Sequence, residues 1–376
     1  MIVGNSFVND SRVEREARSL SATGFNVKVF AASAPTLPKF EKIDGFEVIR
    51  LPIKNYSPFW GFYRLVFYKA YRRLVEEKAD VYHAHDLDTL LISYFAAKRN
   101  NAKIVYDSHE YWSSRTVFKK TYLDTFKGII REPIFSLIEK SLIKKVDAVI
   151  TVNETISEKL AEKYGIEKPL SLYNFPSLEN QKLSDLLRKS LKLGNKKLIL
   201  FLGGVNRGRG VLQLVESLRF LSDGFHLVFL GGGPYIKRAQ VLAEKFNLSS
   251  RVYFLKAVPS VDVLKWASGA DVGVSPIQNI STSYYYSSPN KVFEYLMAGL
   301  PIAVSNFPEM KRILGKFEVG ETFDPEDPED IAKAVKKISQ DPRRYERLKA
   351  NALKAAREEY NWEMESKKLI DLYKNI

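Results

Sequence analysis

The sequence predicts an α/β protein with two doubly wound domains, each built on a mainly parallel sheet. Short runs rich in valine, isoleucine and phenylalanine alternate with longer segments of helical period, which is the pattern of buried parallel strands and their crossover helices. This alternation starts again halfway along the 376 residues. The length also favours two domains, because a single domain usually holds about 100 to 200 residues.

The predicted elements follow in chain order. A very short strand at 2–3 opens the first half, whose further strands are expected at 26–31, 47–53, 80–85, 103–109, 148–152 and 170–173. Strands of the second half are expected at 197–202, 226–230, 252–255, 271–275 and 301–305. The polar stretch 174–195, which opens with Asn-Phe-Pro, is typical of a linker. We therefore expect domains at 1–174 and 175–360, with a last helix at 361–376 that packs back on the first domain.

Composition excludes several kinds of site. The chain has no cysteine, which excludes disulfides, thiolate zinc sites and cysteine nucleophiles. Charged residues among the first sixteen positions argue against a signal peptide, and no run approaches the roughly 20 apolar residues of a spanning helix. A soluble, cytoplasmic protein is therefore expected. The net charge of +14 attracts anions, whether nucleic acid, anionic lipid or phosphorylated small molecules. No nucleic-acid-binding signature accompanies it, so we expect no nucleic acid partner, and charge alone does not choose between the other two.

Chemistry-bearing residues cluster where predicted strands end, which is where doubly wound sheets bind ligands. Ser11 and Glu14 have the spacing of a helix capping box just after the opening strand, and Arg12 lies between them. The amides of that helix start, together with Arg12, suit an anion such as phosphate. A helix cap without a ligand is the alternative.

Three of the four histidines stand at the ends of two neighbouring predicted strands: His83, His85 and His109. Such clustering favours a functional site. A metal site of His83, His85 and Asp86 is the alternative, but nothing else in the sequence marks one, so we expect no metal.

Two glycine-rich loops follow predicted strands in the second half. Residues 203–210 read Gly-Gly-Val-Asn-Arg-Gly-Arg-Gly, and residues 231–234 read Gly-Gly-Gly-Pro. Glycines let the backbone approach a ligand, and Arg207 and Arg209 offer cations for a diphosphate. The glycine spacing of a dinucleotide fingerprint is absent, which argues against a nicotinamide-dependent oxidoreductase.

The strongest local signal is the segment 287–301. Ser-Pro at 288–289 is typical of a helix start, Gly299 of a helix end, and Pro301 of the start of the next buried strand. Glu294 stands one turn inside this helix, close to any group held on its amino-terminal amides. The alternative is an ordinary solvated glutamate.

These segments make the chain resemble the retaining glycosyltransferases of family four, also called group 1, which have the GT-B fold of two facing Rossmann-like domains with a central cleft. The resemblance runs from Asp-Ser-Arg-Val at 10–13 to Tyr-Asn-Trp-Glu at 360–363 and is most specific over 289–301. The preceding Asp-Val-Gly-Val-Ser-Pro at 271–276 also matches.

The resemblance implies roles for individual residues. Glu294 and His109 become the catalytic candidates: Glu294 resembles the second glutamate of the E-x7-E motif, which binds the donor ribose, and His109 resembles a histidine near the donor phosphate and sugar. Tyr286 stands where the first glutamate is expected, and Gly204 where many members have arginine. The donor site expected from the motifs and loops comprises Ser11, Arg12, Arg207, Arg209, Gly232, Val258, Ser288, Asn290, Lys291, Val292 and Glu294, and the sugar or acceptor site comprises His85, Asp86 and Tyr286.

The function that the resemblance implies is transfer of a hexosyl group, with retention and without a metal, from a nucleotide-sugar to a glycan or lipid-linked acceptor in polysaccharide or glycoconjugate synthesis. The first alternative, suggested by Tyr286 and Gly204, is a catalytically inactive nucleotide-sugar-binding or scaffold protein. A hydrolase or epimerase of nucleotide sugars is distinguished by its products. Two aromatic and basic segments, 54–78 and 111–145, suit either peripheral contact with the inner face of an anionic membrane or inward packing of an amphipathic helix.

Overall fold

The computed structural model describes residues 1–8, 10–51, 60–111, 135–178 and 183–376, with backbone alone for 60–67. The chain divides into two compact units. Unit one consists of Met1–Tyr173 with Ser366–Ile376, and unit two of Asn174–Glu365. Residues 54–59 of the first aromatic and basic segment and residues 112–134 of the second lie outside the described residues.

Unit one alternates strands with helices. Its strands are β1 (Lys28–Ala32), β2 (Phe40–Ile43), β3 (Phe46–Leu51), β4 (Val81–His85), β5 (Lys103–Ser108), β6 (Ala148–Thr151) and β7 (Leu170–Ser171). Its helices are α1 (Ser11–Ala22), α2 (Trp60–Glu76), α3 (Leu87–Asn100) and α4 (Glu154–Tyr164), and residues 135–142 are also helical.

The strands of unit one form two arrays, one mixed and one parallel, that Ile2 joins. Strand order is β1-β3-β2 in one array and β4-β5-β6-β7 in the other. Ile2 makes a parallel bridge to Phe30 of β1 and another to Ala84 of β4. The predicted opening strand is therefore a short backbone segment between the arrays, and it brings the carboxyl end of β4 beside the start of α1.

An antiparallel hairpin at the edge of unit one is absent from the sequence prediction. β2 pairs with β3 antiparallel, with Ile43 opposite Phe46. Asp44 and Gly45 form the turn with φ of 39° and 93°. Positive φ at both central residues is the requirement of the two-residue hairpin turn, and an Asp-Gly pair meets it at low cost.

The described residues of unit two form one parallel sheet of six strands. Its strands are β8 (Lys197–Leu202), β9 (Phe225–Leu230), β10 (Val252–Leu255), β11 (Val272–Ser275), β12 (Ile302–Ser305) and β13 (Gly320–Phe323). The strand order is β10-β9-β8-β11-β12-β13. β8 and β11 are adjacent although far apart in sequence, so the strand order changes direction there, and such a switch point is where doubly wound sheets bind ligands.

Helices cover both faces of this sheet. They are α5 (Leu186–Leu191), α6 (Val211–Ser217), α7 (Ile236–Lys245), α8 (Val263–Ala267), α9 (Thr282–Tyr285), α10 (Asn290–Met297), α11 (Pro308–Lys316), α12 (Pro328–Ser339) and α13 (Pro342–Glu358). The last helix, α14 (Trp362–Asn375), begins in unit two and ends in unit one.

The predicted linker at 174–195 is wrong over much of its length, because α5 lies within it and is fixed to the rest of unit two. Arg188 of α5 donates to the Asp271 carboxylate at 2.7 Å. The backbone amide of Ser184 donates to Ser268 Oγ at 2.8 Å. The polar composition of this segment suggested a solvated connection. Its polar groups instead form hydrogen bonds that hold a short helix against the rest of unit two.

The part of α2 whose side chains are described packs inward on one side only. Ala70 and Leu74 are buried, whereas Tyr68 is 57% exposed with Arg72 above its ring. Within the described residues, no helix is long and apolar enough to cross a membrane.

Candidate functional site

The carboxyl edge of the unit-two sheet is formed by glycine loops that press against each other. Gly203 follows β8 with φ of 88°, and Gly231 follows β9. A Cβ on Gly231 would lie 2.0 Å from the carbonyl oxygen of Gly203, and one on Gly210 would lie 2.0 Å from that of Pro276. Any side chain at Gly231 or Gly210 would therefore push these loops apart. The glycines bring backbone amides together at the switch point of the sheet.

Helix α10 begins at this edge because Tyr295 anchors it. The Tyr295 ring occupies the space beside Gly273, where a Cβ would lie 2.2 Å from the ring. The Tyr295 hydroxyl accepts from the amide of Leu202 at 2.9 Å and lies 3.0 Å from the carbonyl oxygen of Leu200. Pro289 precedes the helix, and no side chain caps its first amides. These amides are therefore available to a ligand.

Two cations at this edge rest on aromatic rings. The Arg209 guanidinium lies 4.8 Å from the centre of the Tyr284 ring, and Lys291 Nζ lies 3.5 Å from the centre of the Phe201 ring. In the part of the chain that the structure describes, neither side chain forms an ion pair. Burial, and then the charge of Arg209, hold the pKa of Lys291 well below its usual range.

The other unit-two residues predicted for the donor site lie in loops or on α10. Glu294 is half-buried on α10, near enough for its charge to favour protonated Lys291. Val292 is buried, Asn290 and Gly232 are exposed, and Ser288 and Val258 are half-buried. Arg207 is exposed in the loop after β8.

The two departures from the family pattern have local consequences. Tyr286 follows α9 and its ring meets that of Tyr285 edge to face, with centres 5.2 Å apart. A Cβ on Gly204 would lie 2.6 Å from Asn206 Nδ2. The side chain of Asn206 thus occupies the space that a larger residue at 204 would need.

Unit one holds a second group of polar residues, which we call the histidine–carboxylate cluster. Its members are Arg12, Glu16, His83, His85, Asp107 and His109. Glu16, His83, His85 and Asp107 are at most 2% exposed, whereas the His109 side chain is 20% exposed. His109 is therefore the member that a ligand reaches.

The structure brings together His85, Asp86 and His109, which the sequence placed at the ends of two neighbouring strands. His109 Nε2 lies 3.2 Å from His85 Nδ1 and 3.2 Å from Asp107 Oδ2. Asp86, at a φ of 66°, accepts from the His109 amide at 3.1 Å. Burial alone would lower the pKa of His109, but the carboxylates of Asp86 and Asp107 outweigh burial and raise it to about 9.

Arg12 lies differently from the expectation of an anion-binding arginine. It is 5% exposed, and its guanidinium donates to both oxygens of Asp107 at 2.9 and 3.0 Å and to the Leu172 carbonyl oxygen at 2.6 Å. Burial alone would raise the pKa of Asp107, but Arg12 and His109 hold it well below its usual range. With its donors directed at protein oxygens, Arg12 stabilises unit one instead of meeting a phosphate.

The cap of α1 is also corrected. Asp10 is the N-cap residue, and its carboxylate accepts from the Val13 amide at 3.3 Å, so Ser11 is the first residue of the helix. A carboxylate at the helix start already satisfies part of its positive end, which makes this position less suitable for a phosphate.

Sequence reasoning missed three members of this region: Glu16, Asp107 and Tyr373. Burial, and then the nearby charge of Asp107, raise the pKa of Glu16 to about 8. The Tyr373 hydroxyl of α14 lies 2.7 Å from His83 Nδ1. Spacing along the sequence links none of these residues, although the strand-end position of Asp107, two residues before His109, was a usable signal.

Comparison with known proteins gives the same assignment for both halves. Residues 11–173 match the family model described as Glycosyltransferase Family 4, and residues 184–355 match the model described as Glycosyl transferases group 1. An uncharacterized glycosyltransferase of Methanocaldococcus jannaschii is 25% identical over 95% of this chain and 92% of its own length. A phosphatidyl-myo-inositol mannosyltransferase of Mycobacterium leprae is 24% identical over 97% of this chain and 92% of its own length.

Solved structures confirm the GT-B fold class. Sucrose-phosphate synthase from Thermosynechococcus elongatus superposes with a TM-score of 0.78 at 19% identity, over 96% of this chain and 92% of that one. Anabaena HepE in complex with UDP-glucose superposes with a TM-score of 0.76 at 14% identity, over 100% of this chain and 98% of that one. At these identities the likeness concerns the fold.

Proposed function

Because the chain belongs to the group 1 glycosyltransferases of family 4, we propose that it transfers a sugar from a nucleotide-sugar bound at the carboxyl edge of unit two. The relatives and structural neighbours with named activities or ligands include a mannosyltransferase and a protein crystallised with UDP-glucose. These names support a nucleotide-sugar donor for this chain, but they do not identify its base or its sugar.

The observation that carries this proposal is the pair of cations Arg209 and Lys291. A cation stacked on an aromatic ring keeps its N–H donors for another partner, because the ring contacts its charge and accepts no conventional hydrogen bond. The two charges also repel each other, which is part of the reason for the low pKa of Lys291. A diphosphate between them would relieve the repulsion and supply the missing acceptors.

The same cations suit the chemistry of transfer. Breaking the bond between sugar and nucleotide leaves a nucleoside diphosphate with growing negative charge and a sugar with cationic character. Arg209, Lys291 and the uncapped amides of α10 would stabilise the developing diphosphate charge, which is the largest contribution in many enzymes. In this scheme Glu294 accepts from the ribose hydroxyls, and His109 orients the sugar or the leaving oxygen.

Four finer features of the reaction belong to the proposal as well. The transferred group is a hexosyl, its configuration is retained, and the acceptor is a glycan or lipid-linked glycan. The diphosphate needs no metal ion, since arginine, lysine and helix amides supply its counter-charge. His85, Asp86 and Tyr286 would contact the sugar or the acceptor.

Calorimetric titration with UDP, GDP and ADP, each with and without chelator, tests the donor site. We expect one nucleotide to bind, without sensitivity to chelator, and Glu294→Ala to weaken that binding. Glu329→Ala, an exposed helix glutamate paired with Lys333, is the matched control and should bind like the wild type. If none of the three nucleotides binds, the assigned donor residues are wrong.

Turnover separates the enzyme from an inactive binding protein. Incubation with the matching nucleotide-sugars and membrane glycolipid extracts should release nucleoside diphosphate and form a product whose anomeric configuration, read by NMR, equals that of the donor. Nucleotide binding without any release would favour the inactive scaffold.

A further inference from the structure

Several atoms inside the histidine–carboxylate cluster are buried without a hydrogen-bond partner. They are Oε2 of Glu16, Nε2 of His83 and Nε2 of His85. The other Glu16 oxygen, Oε1, lies 3.0 Å from Arg12 Nε and is paired with its charge. The side chains of Glu16, His83 and His85 are among the least exposed of unit one, at 0 to 2%. A buried polar atom without a partner costs free energy, so an arrangement that leaves three of them in one place calls for a missing partner.

The geometry points to a cation as that partner. One ligand atom from each of Glu16, His83, His85 and Asp107 lies within 4.8 Å of all the others. His83 Nε2 lies 3.9 Å from Glu16 Oε2 and 3.9 Å from Asp107 Oδ2. These separations are too long for direct hydrogen bonds. They approach the spacing of about 3.4 Å between ligands of a tetrahedral zinc ion with bonds of about 2.0 to 2.1 Å.

The hydrogen bond of His83 favours the tautomer that a metal needs. If Nδ1 donates its proton to the Tyr373 hydroxyl, 2.7 Å away, Nε2 carries a lone pair directed at two carboxylates. Lone pairs facing carboxylates are stabilised by a cation between them. Metal-bound histidines commonly use their second ring nitrogen in this way, with an outer hydrogen bond that fixes the tautomer.

Charge also leaves room for a cation. Arg12 contributes one positive charge, against two carboxylates within hydrogen-bonding or ion-pair distance of it. With Glu16 ionised as a metal ligand, His83 and His85 neutral, and the charge of protonated His109 offset by Asp86, the four ligands and Arg12 carry one net negative charge. Since Asp107 Oδ2 also accepts from Arg12 at 3.0 Å, ion and guanidinium would share that oxygen. We therefore expect weaker binding than at a thiolate zinc site.

We propose that Glu16, His83, His85 and Asp107 bind one divalent transition-metal ion, such as Zn²⁺, inside unit one. Two imidazoles and two carboxylates are a ligand set that suits zinc and its first-row neighbours. This site differs from the sequence alternative of His83, His85 and Asp86, because the structure directs Asp86 toward His109 and brings Glu16 and Asp107 to the histidines. The ion would cross-link α1, β4 and β5 and is distinct from the donor diphosphate.

A proton is the competing occupant. In that case the carboxyl of Glu16 holds a proton and shares it with Asp107, which gives both carboxylates a partner without a metal. Glu16→Gln separates the two occupants, because glutamine mimics a protonated carboxyl but is a poor ligand for Zn²⁺.

The test uses the untagged full-length chain, purified without chelator and analysed by inductively coupled plasma mass spectrometry. We expect about one equivalent of metal. After chelation the unfolding temperature should fall, and Zn²⁺ should restore it. Replacing Zn²⁺ with Co²⁺ should give the visible absorption of a four-coordinate ion. We expect Glu16→Gln and His83→Gln to weaken Zn²⁺ binding at least about tenfold, whereas His226→Gln, a change of the remaining histidine in unit two, should not.

Three outcomes would overturn the proposal. One is the absence of metal in the purified protein together with no saturable Zn²⁺ binding after chelation. Another is Zn²⁺ bound equally well by Glu16→Gln and His83→Gln, which would move the ion elsewhere. The third is a chelator-insensitive chain in which Glu16→Gln is as stable as the wild type, which would assign the position to a proton.

Discussion

The two units treat a buried positive charge in opposite ways. Arg12 and Lys291 are similarly hidden, at 5% and 9% exposure. Arg12 is surrounded by protein acceptors, with Asp107 and the Leu172 carbonyl at hydrogen-bonding distance. Lys291 instead rests on the Phe201 ring, with Arg209 as a like charge nearby.

This difference separates a charge that stabilises the folded chain from a charge that is available to a ligand. An arginine whose donors all meet protein oxygens stabilises the folded chain, and removing it leaves buried carboxylates unpaired. A lysine held against a ring and beside another cation raises the free energy of the empty site. Such a position is destabilising until an anion arrives, which is common where function and stability conflict.

The largest effect on stability is expected from Arg12→Met. Removing the guanidinium leaves Asp107 buried without its main partner, and breaking a buried pair from one side costs about 3 to 5 kcal/mol of unfolding free energy. Urea denaturation at pH 7 measures this loss. Arg18→Met is the control, because Arg18 lies on the same helix and pairs with Glu14 and Asp44 at the surface. Its loss should cost less than about 1 kcal/mol. Equal effects of the two changes would contradict the distinction.

The opposite sign is expected for Lys291→Met. Burial holds the pKa of Lys291 well below its usual range, so the unfolded chain binds this proton more tightly than the folded chain. The wild type therefore loses stability as the pH falls below about 10.5, the usual lysine value. Methionine removes this penalty, and the variant should gain stability over the wild type by a margin that grows from pH 10 to pH 7.

The same Lys291→Met variant should lose donor affinity. A hydrogen bond to a charged group contributes about 1.5 to 3 kcal/mol. Its loss should therefore raise the dissociation constant of the nucleoside diphosphate about 10- to 100-fold. Calorimetry and urea denaturation on one preparation measure both effects. Lys349→Met is the control, because Lys349 also lies above an aromatic ring, that of Tyr345, at the surface of α13. A variant that lost stability while keeping its affinity would reverse the comparison.

Much of the fold was predictable because periodicity reports burial directly. β8 and β10 begin and end where the sequence prediction placed them, since each contains an unbroken apolar run, 198–202 in β8 and 252–255 in β10. β2 was missed because it is an edge strand, Phe-Glu-Lys-Ile, whose residues are exposed or half-buried. Burial therefore leaves no apolar run to detect. Only its Asp-Gly turn marked the hairpin.

The candidate sites were predictable where chemistry and strand ends coincide. The sequence placed His85 and His109 at neighbouring strand ends, and they lie close together because parallel strands end at the same edge of a sheet. Glu16 was not found, since one glutamate in an amphipathic helix is usually solvated, and only the fold turns it inward. Arg12 was misassigned for a related reason: its partner Asp107 is 95 residues away.

The smallest effect is expected at the ring beneath Arg209. Tyr284 packs over Gly208, where a Cβ would lie 3.2 Å from its ring, and it supports the guanidinium of Arg209 at 4.8 Å. A cation–π contact at a partly exposed site contributes about 0.5 to 1 kcal/mol, so Tyr284→Leu should weaken nucleoside diphosphate binding about two- to fivefold.

The matched control for that change is Phe246→Leu, which removes the ring 4.4 Å from Arg219. Arg219 also pairs with Glu216, so the Phe246 ring is not the sole support of its guanidinium. Arg219 is not among the residues assigned to the donor site. The control should leave nucleotide affinity unchanged. A loss of 100-fold or more in Tyr284→Leu would instead mean that the tyrosine contacts the nucleotide itself. No loss at all would mean that Arg209 keeps its position without the ring, and that aromatic support of cations is not what prepares unit two for its donor.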